Sequence, residues 1–473
     1  MTAHVSVKDD DFLLTGFLSR QRAAFLKDGP PTAAQRRADL LKLKTALQKR
    51  RTAFEAAVSK DFGYRSAYET RIMEVTPVIQ TINYLRRNLT KWMRPERRRV
   101  AIHFLPGRAR VVYQPLGVVG IISPWNYPLS LALTPLATAI AAGNRAILKP
   151  SELTPATSEL LKSMLREIFP EEQVAVVTGG PEIGAAFSRL PFDHLVFTGS
   201  TNVGRSVMKE AAENLVPVTL ELGGKSPALI GPDADIDAAA VSVAYGKLAN
   251  AGQTCIAPDY VLVHEKDVGT FVASYDATAH KFYPQGATDR NYTSIVNAKH
   301  YSRIQKLIDD AKEKGAKVIE VANDGTADPR KLAPVIVLNV TDDMAIMQQE
   351  IFGPALPIMT YRTFDEAIGY INRKPRPLAL YYFGQNSDDR QKVLTRTTSG
   401  NVTINDTLMH YVQDDLPFGG IGMAGMGAYH GIEGFKSLSH AKGVFEQSKW
   451  NLARILHPPF NKTTDKVIRY FQR

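Results

Sequence analysis

The residue with the clearest capacity for chemistry is Cys255, the only cysteine in this chain of 473 residues. It lies in the stretch NAGQTCIAPDY (250–260), directly after a helix predicted over 235–253. A helix-to-loop junction leaves the thiol accessible and its backbone N–H free to donate. Cysteine attacks as the thiolate and needs a lowered pKa to do so. Because a lone cysteine more often fills space as a small hydrophobe, its neighbours decide between the two interpretations.

A carboxylate is the best candidate partner for this thiol. None of the ten histidines stands in a pairing motif with the cysteine, so a Cys–His hydrolase is not supported. Glu221 ends the predicted strand VTLELGG (218–224), between Leu220 and Leu222. Apolar surroundings raise the pKa of a carboxyl toward that of a useful general base. The alternative is an ion-paired glutamate at a strand end.

Three glycine-rich segments resemble nucleotide-binding motifs without matching them. GSTNVGRS (199–206) has Arg205 where a P-loop needs lysine, and GGKS (223–226) has Thr219 where the first glycine belongs. GIGMAG (420–425) matches G-x-G-x-x-G but does not follow a strand. The first segment does follow a predicted strand and open a helix, and such an N-terminus binds anions. A dinucleotide ligand is therefore predicted without a standard fingerprint.

The surrounding sequence predicts an α/β fold that would position these groups. From residue 111 onward apolar strands alternate with helices, which indicates a parallel sheet covered on both faces. A second α/β series follows Lys225, with strands at SPALIG, YVLVHE, PVIVLNV, ALPIMTY and ALYYFG. Ligands of such sheets bind at the carboxyl ends of strands. We also predict helices in 12–60 and 70–92, and an apolar strand pair in VVYQPLGVVGIIS (111–123).

Composition bounds the class of protein. A hydrophobic fraction of 44% and a charged fraction of 22% are typical of globular proteins. One cysteine cannot form an internal disulfide, and MTAHVSVKDDDF (1–12) lacks the pattern of a signal peptide, so we expect a cytoplasmic protein. The net charge is +11, and basic residues are densest in the short run 91–110. A run of this length indicates a solvated linker rather than a nucleic-acid site. Prolines interrupt the apolar window 121–143, which favours a strand, a turn and a buried helix over a membrane span.

Taken together, the motifs resemble those of the aldehyde dehydrogenase family over nearly the whole chain. They are PWNYP (124–128), LKPSE (148–152), FTGSTNVG (197–204), LELGGKSP (220–227), GQTC (252–255), EIFGP (350–354) and PFGG (417–420). NYP, CIAPDY and GMGAYHG are similar to the class 3 branch. DFGYRS (61–66) and KWMRPERRR (91–99) are similar to its bacterial coniferyl aldehyde dehydrogenases. One departure is Gly-Met-Ala at 422–424, where family members often carry lysine or asparagine and then serine.

The resemblance implies a fold with a Rossmann-like parallel-sheet cofactor domain, an α/β catalytic domain and a small bridging β element. The N-terminal helices and the cofactor domain would occupy 1–222, with bridging strands near 100–114. The catalytic domain carrying Cys255 would occupy 223–415. The last segment, 416–473, would return to the cofactor domain and add a bridging strand and a tail. A homodimer joined through 108–114 and 442–450 is also implied.

The resemblance also assigns roles. Cys255 would attack the aldehyde, the Asn126 amide and the Cys255 N–H would form the oxyanion hole, and Glu221 would activate water. The implied cofactor is NAD, with NADP as the alternative, held by Trp125, Lys149, Glu152, Gly199, Ser200, Gly204, Glu350 and Phe352. A glutamate beside the ribose favours NAD because it repels a 2′-phosphate. Tyr127, Phe418 and His430 would line the substrate pocket or pack in the core, and no metal is implied.

Three other functions stay open at this point. A CoA-acylating dehydrogenase is disfavoured by Glu221, because thioester transfer to a thiol needs no base for water. A catalytically silent homologue acting as a binding protein is disfavoured by the presence of Cys255, Glu221 and Asn126. A nucleic-acid binder is disfavoured by the shortness of the basic run. The sequence therefore favours oxidation of an aromatic or apolar aldehyde, such as coniferyl aldehyde, to the acid through a cysteine thioester.

Overall fold

The computed structural model of the chain describes residues 7–321 and 330–472. Residues 1–6, which belong to the stretch predicted to lack a signal peptide, lie outside this part. The strands are β1 (Glu96–Arg98), β2 (Arg108–Pro115), β3 (Val118–Ile122), β4 (Arg145–Lys149), β5 (Val174–Val176), β6 (His194–Thr198), β7 (Val218–Glu221), β8 (Pro227–Ile230), β9 (Tyr260–His264), β10 (Lys317–Glu320), β11 (Val335–Leu338), β12 (Ala355–Tyr361), β13 (Ala379–Phe383), β14 (Asn401–Ile404), β15 (Gly425–Met426) and β16 (Ser439–Glu446).

The helices connect these strands and cover the sheets. They are α1 (Val7–Asp28), α2 (Ala33–Lys49), α3 (Arg51–Phe62), α4 (Ala67–Thr70), α5 (Thr76–Trp92), α6 (Ser130–Ala142), α7 (Pro155–Ile168), α8 (Pro181–Ser188), α9 (Thr201–Ala212), α10 (Ile236–Leu248), α11 (Val268–Phe282), α12 (Ala298–Glu313), α13 (Ala345–Gln348), α14 (Phe364–Arg373), α15 (Ser387–Arg396), α16 (Gly431–Ser437) and α17 (Lys462–Phe471). A π-helical turn, Arg71–Val75, joins α4 to α5, so the stretch predicted as one helix from residue 70 contains an irregular first turn.

The first large sheet has the order β15-β7-β6-β3-β4-β5 within the described residues. Its five longer members run parallel, and β15 pairs antiparallel with β7. These strands are continuous apolar runs. Because helices cover both faces of the sheet, almost none of the strand residues is exposed to water. The carboxyl ends of β3, β6 and β7 are neighbours, with Ile122 opposite Phe197 and Thr198 opposite Glu221. The loops that follow these strands therefore meet at one edge.

The second large sheet has the order β10-β11-β12-β9-β8-β13-β14 in the described part of the chain. All its pairs are parallel except β10 with β11. Separate apolar clusters cover the two faces of this sheet. The predicted α/β class with two series of strands and helices is thus confirmed.

The third sheet corrects one prediction. The segment 111–123 does contain two strands, but they do not pair with each other, because β2 pairs with β16 from Arg108 to Pro115 and β3 joins the first large sheet. The order β1-β2-β16 makes a small antiparallel sheet. We retain the division at 222 and 415 as a proposal, supported by the return of β15 and β16 to earlier elements. The homodimer stays a prediction.

The apolar window 121–143 contains the end of β3, a turn and α6. Every residue of α6 is buried in the core beside α5 and α2. Across the described residues, no helix combines the length and the apolar character needed to cross a membrane.

The N-terminus of α7 is capped from a distant helix rather than by its own N-cap residue. Thr154 precedes Pro155 as the sequence suggests, but its side chain makes no capping hydrogen bond. The carboxylate of Asp61, from α3, accepts the N–H groups of Ala156 at 2.9 Å and Thr157 at 2.8 Å. The carboxylate thereby satisfies two donors that the helix leaves unpaired.

Replacing this capping carboxylate should lower stability without touching either large sheet. We expect Asp61→Ala to reduce the free energy of unfolding by about 1–2 kcal/mol, the usual loss for a removed cap. Urea denaturation followed by circular dichroism measures this change. Thr154→Val is the control, and a larger loss from Thr154→Val than from Asp61→Ala would contradict the assignment of the cap.

Candidate active site

A cavity of about 440 Å³ opens at the edge where β3, β6 and β7 end. Eight of the residues predicted for catalysis or cofactor binding line it: Trp125, Asn126, Gly199, Ser200, Glu221, Cys255, Glu350 and Phe352. They come from five separate segments of sequence that the two large sheets bring to one place. The structure therefore assembles the predicted nucleophile, the predicted base and the predicted oxyanion donor around one space.

The loop that carries Cys255 is tightly fixed. The helix predicted to reach 253 ends at Leu248, because Asn250 and Ala251 adopt left-handed conformations with φ of 53° and 51°. Non-glycine residues in that region are strained and cluster at functional sites. Gly252 follows with φ of 75°, and a Cβ there would stand 2.2 Å from the carbonyl oxygen of Gly353. Glycine is therefore required immediately before the Gln-Thr-Cys sequence.

The buried amide of Gln253 holds this loop in place. Its Nε2 donates to the carbonyl oxygens of Asn250 at 2.9 Å and Ser294 at 3.1 Å, and its Oε1 accepts the N–H of Val296 at 2.9 Å. Three side-chain hydrogen bonds inside a water-poor site are costly to break. Gln253 is thus a structural support for the neighbouring Cys255.

Asn126 links the loop after β3 to the cysteine loop. Its Nδ2 donates to the carbonyl oxygen of Gln253 at 3.1 Å, and its own carbonyl oxygen accepts from Nδ2 of Asn250 at 2.9 Å. The residue is buried and also lines the cavity. This arrangement places an amide donor beside the nucleophile loop, as an oxyanion hole requires.

Glu221 is buried at the end of β7 with 2% of its surface exposed. Neither carboxylate oxygen has a hydrogen-bond partner among the described residues. Burial without compensating donors raises the pKa of the Glu221 carboxyl well above 4.5. A carboxyl with a raised pKa binds a proton more strongly than a free one, which is the property expected of a general base.

The Gly-Met-Ala turn at 422–424, which differs from the usual family pattern, contacts the end of β7 and the start of α9. The carbonyl oxygen of Ala424 accepts the N–H of Leu222 at 3.0 Å, and that of Met423 accepts the hydroxyl of Thr201 at 3.2 Å. The turn therefore supports the segment directly after Glu221 and the start of α9. Both contacts use backbone carbonyls, so they do not depend on the side chains that differ from the usual family pattern.

The thiol of Cys255 is not activated by its protein surroundings. Burial, and then the negative charges of Glu350 and Glu221, raise its pKa to about 12, although the N–H groups of Cys255 and Ile256 act in the opposite direction. Burial and the nearby Asp259 likewise raise the pKa of Glu350 to about 8. The described protein groups therefore do not by themselves provide the lowered thiol pKa expected of a nucleophile.

A second pocket, of about 250 Å³, lies on the other side of Cys255. Its walls are mainly apolar and aromatic: Ile72, Met73, Pro77, Gln80, Tyr127, Ser130, Leu131, Tyr245, Thr254, Cys255, Ile256, Leu408, Met409, Tyr411 and Val412. Cys255 is the residue that lines both spaces. Tyr127 is fixed there by a 2.7 Å hydrogen bond between its hydroxyl and that of Thr254.

Two of the three residues predicted for this pocket lie behind its wall. Phe418 and His430 are buried at 2% and 3% exposure and are absent from the pocket lining. Their rings pack against that of Tyr411, with centroids 4.9 Å and 5.1 Å away. Both rings therefore contact a residue that lines the pocket, and a role for Phe418 and His430 in holding the substrate stays a prediction.

The glycine-rich segment at α9 has the geometry of an anion site. Ser200 is the N-cap of α9, and its hydroxyl accepts the N–H of Val203 at 3.5 Å. The helix therefore begins at the cavity and directs the positive end of its dipole there. Gly204 lies one turn inside α9, where a Cβ would stand 2.6 Å from Leu222. Glycine there allows α9 to pack closely against Leu222, and its predicted contact with the cofactor stays a prediction.

The remaining cofactor candidates divide into two groups. Trp125 and Phe352 form one wall of the cavity, with ring centroids 5.4 Å apart. Lys149 and Glu152 are not among the residues that line this cavity. Lys149 is the last residue of the adjacent strand β4, and its Nζ is 3.4 Å from Oε2 of Glu152 in the loop that follows. They occupy the same edge of the sheet as the glycine-rich segment, because β4 pairs with β3 up to Lys149.

Several residues of the site were not identified from sequence. His300, Arg303 and Gln349 line the first cavity, and Arg303 also donates to the carbonyl oxygen of Glu350 at 3.1 Å. The second pocket takes walls from the π-helical turn, from α6 and α10, and from residues 408–412. No local pattern marks these residues, because each segment also has an ordinary helical or loop sequence. In the described residues, no group of three or more His, Cys, Asp or Glu side chains is placed to hold a metal ion.

The chain is similar to known aldehyde dehydrogenases along most of its length. The sequence profile described as "Aldehyde dehydrogenase family" matches residues 20–444. A probable coniferyl aldehyde dehydrogenase from Pseudomonas aeruginosa is 50% identical over 455 residues, which is 96% of this chain and 95% of that protein.

Two solved structures are similar along nearly their whole length. One is the substrate-bound state of Staphylococcus aureus AldH, with a TM-score of 0.92 and 38% identity, covering 97% of this chain and 99% of that one. The other is a Mycobacterium tuberculosis aldehyde dehydrogenase complexed with NAD⁺, with a TM-score of 0.84 and 30% identity over 93% and 90% of the two chains.

Proposed function

The chain belongs to the aldehyde dehydrogenase family, and we propose that it oxidises an aromatic, apolar aldehyde to the carboxylic acid with NAD(P)⁺ as the oxidant. The observation that carries this proposal is the position of Cys255 between a polar cavity and an apolar pocket. The carboxyl and amide groups of one side serve the reaction, and the aromatic walls of the other hold the substrate. The name of the Pseudomonas aeruginosa relative supports coniferyl aldehyde within this class.

The residues of the first cavity fit the implied cofactor. The N-terminus of α9 offers backbone N–H groups for a pyrophosphate, and the carboxylate of Glu350 reaches the cavity beside Gly223, which lacks a side chain. Glu350 and Phe352 would hold the nicotinamide end. Gly199 and Ser200 would hold the phosphates, with Lys149 and Glu152 at the adenosine ribose. When bound, NAD(P)⁺ would bring the positive charge of its nicotinamide ring to the cavity and would accept the hydride released when the cysteine-bound hemithioacetal becomes a thioester.

The protein groups carry the steps on either side of that transfer. The Cys255 sulfur forms a bond to the aldehyde carbon, and the negative charge that develops on the oxygen is stabilised by the Asn126 amide and the Cys255 N–H. In the second half, Glu221 removes a proton from water, which attacks the thioester carbon and releases the acid and the thiolate. The absence of any other partner for the Glu221 oxygens among the described residues leaves both available to a water molecule.

The direct test is NAD(P)H formation by the purified protein with coniferyl aldehyde, benzaldehyde and hexanal. We expect turnover with all three and the highest kcat/KM for the aromatic aldehydes, because the pocket walls are aromatic and apolar. CoA is added in a parallel assay, and a rate that depends on CoA would favour the acylating alternative. If no aldehyde is oxidised with NAD⁺ and none is oxidised with NADP⁺, the proposed function is contradicted.

A charge at the rim of the apolar pocket should weaken substrate binding selectively. Val412 lines this pocket and is 40% exposed, so a change there leaves the core intact. We expect Val412→Glu to raise KM for coniferyl aldehyde about tenfold through the desolvation of the new carboxylate, with kcat within about twofold. Val412→Leu is the matched control. An unchanged KM in Val412→Glu would mean that the aldehyde binds elsewhere.

Cofactor preference should depend on Glu152. Its negative charge repels a 2′-phosphate, so we propose a preference for NAD and expect Glu152→Gln to raise the ratio of kcat/KM for NADP⁺ over NAD⁺ about tenfold. Steady-state kinetics with each cofactor measures this ratio. Glu159→Gln makes the same change of charge at an exposed position of α7 and should leave the ratio unaltered. Equal ratios in both variants would contradict the placement of Glu152 at the ribose.

A further inference from the structure

Three charged side chains that take no part in the mechanism above lie directly behind the two catalytic loops. They are Arg65, Glu69 and Glu74, from the junction between α3 and α5. The Arg65 and Glu74 side chains are completely buried, and that of Glu69 is 12% exposed. None of them lines either cavity. Burying a guanidinium costs desolvation free energy unless charged and polar partners compensate it. The contacts of Arg65 therefore indicate its role.

On one side the group holds the loop that carries Asn126. Arg65 Nη1 donates to Glu74 Oε1 at 2.9 Å and to the carbonyl oxygen of Asn126 at 3.3 Å. The other oxygen of Glu74 accepts the N–H groups of Leu129 at 2.7 Å and Ser130 at 3.1 Å, at the start of α6. The arginine also lies 4.8 Å from the ring centre of Tyr127. The chain from Asn126 to Ser130 is thus held at four points.

On the other side the group holds the loop that carries Cys255. Glu69 accepts the backbone N–H of Asn250, the first left-handed residue of that loop, and the hydroxyl of Thr293. Its Oε2 lies 4.0 Å from Nε of Arg65. The carboxylate therefore fixes the strained backbone that leads to the nucleophile. Its link to the Asn126 side is the 4.0 Å ion pair with Arg65, whose Nε has no hydrogen-bond partner among the described residues.

The π-helical turn explains how two glutamates five residues apart can serve one arginine. In an α-helix such residues point in widely different directions, because neighbours on one face are three or four apart. A π turn bonds residue i to i+5 and moves them toward the same face, and such turns are frequent at functional sites. The turn Arg71–Val75 begins two residues after Glu69 and contains Glu74.

We propose that Arg65, held between Glu69 and Glu74, is a positioning residue that sets the separation between the Asn126 amide and Cys255. The inference rests on the proposed function, because the value of that separation is the stabilisation of the oxyanion. An oxyanion hole works only when its donors are fixed before the charge develops. Loss of the clamp should therefore lower kcat, while the pocket that binds the aldehyde stays formed.

Two variants remove the clamp in different ways. Arg65→Met removes the guanidinium. Glu74→Gln is finer: the amide oxygen can still accept from Leu129 and Ser130, but its NH₂ then faces the Arg65 donor. Arg36→Met is the matched control, because Arg36 is also buried and donates to a carbonyl oxygen, that of Ala141, at 3.0 Å, outside both cavities. Since Cys255 is the only cysteine, thiol titration of the folded fraction, isolated by gel filtration, counts the reduced active-site thiols in every preparation.

We expect kcat per titrated thiol to fall about 10- to 100-fold in Arg65→Met and Glu74→Gln, with KM for the aldehyde within about threefold. Arg36→Met should lower Tm and leave kcat per thiol unchanged. The same loss of kcat per thiol in all three variants would assign Arg65 a merely structural role and overturn the inference. Glu74→Gln decides the outcome if Arg65→Met does not fold.

A double-mutant cycle with Asn126→Ala tests whether Arg65 acts through Asn126. Because the amide is already absent in that background, Arg65→Met should lower kcat there by less than about threefold. An equal loss in both backgrounds would overturn the proposal.

Alkylation of Cys255 by iodoacetamide tests the clamp without turnover. We expect it to be at least about threefold faster in Arg65→Met and Glu74→Gln than in wild type and Arg36→Met, and equal rates in all four would reject the clamp. An inactive wild type with these altered alkylation rates would instead identify a failure of the proposed function.

Discussion

Cys255→Ala should abolish aldehyde oxidation, with a fall in kcat of at least about 10⁴-fold, because loss of a covalent nucleophile removes the reaction path and not only one of its contacts. Cys255→Ser, which is similar in size, should fall to a similar extent, since a hydroxyl has a much higher pKa than a thiol. Initial rates of NAD(P)H formation measure both variants.

Binding of the cofactor is the control for this experiment. The groups proposed to hold NAD(P)⁺ lie on the loops after β3, β4 and β6 and at Glu350–Phe352, and they do not require the sulfur. NAD⁺ should therefore raise Tm equally in the wild type and in Cys255→Ala. Undiminished turnover in the alanine variant would contradict the covalent mechanism. Lost turnover together with a lost shift of Tm would mean that the substitution damaged the cavity instead.

Glu221→Gln should separate the two halves of the reaction. Cys255 and Asn126 remain, so we expect a burst of one NAD(P)H per titrated thiol. Steady turnover should then fall about 10²–10⁴-fold, the usual range for the loss of a general base. Rapid mixing measures the burst, and intact mass measures the trapped acyl-enzyme. Hydroxylamine, which cleaves thioesters without a base, should restore repeated turnover.

Two other results would change the role of Glu221. Full steady-state turnover in Glu221→Gln would mean that another group activates water. Absence of the burst would mean that the carboxylate is already needed to ionise the thiol, whose pKa its surroundings raise to about 12. The expected result is a normal burst, because the positive charge of the cofactor, and not Glu221, is proposed to favour the thiolate.

The pH dependence of the wild type follows from the same carboxyl. Glu221 acts as a base only when ionised, and burial raises its pKa well above 4.5. Deacylation should therefore increase as pH rises through that raised pKa, and the increase should be absent in Glu221→Gln. Both profiles are measured under conditions where deacylation limits the rate.

The sequence determined the α/β class, the family and half of the residues that line the first cavity. Strand-forming runs and the short motifs after them are local features. Each motif contains residue types that the local backbone conformation requires. Gly252, for example, is needed by the backbone that precedes Gln-Thr-Cys. Motifs of this kind identify Cys255, Glu221 and Asn126 without any knowledge of where they meet.

The tertiary structure alone decided what surrounds those residues. The two strands of segment 111–123 belong to two different sheets, because each pairs with strands distant in sequence. A local sequence pattern does not predict such pairing. Phe418 and His430, 12 residues apart in the chain, both pack against Tyr411, a contact that no local pattern records. The raised pKa of Cys255 and the clamp around Arg65 arise from burial and from contacts between distant segments. Such effects depend on distance in space, and only the folded chain sets that distance.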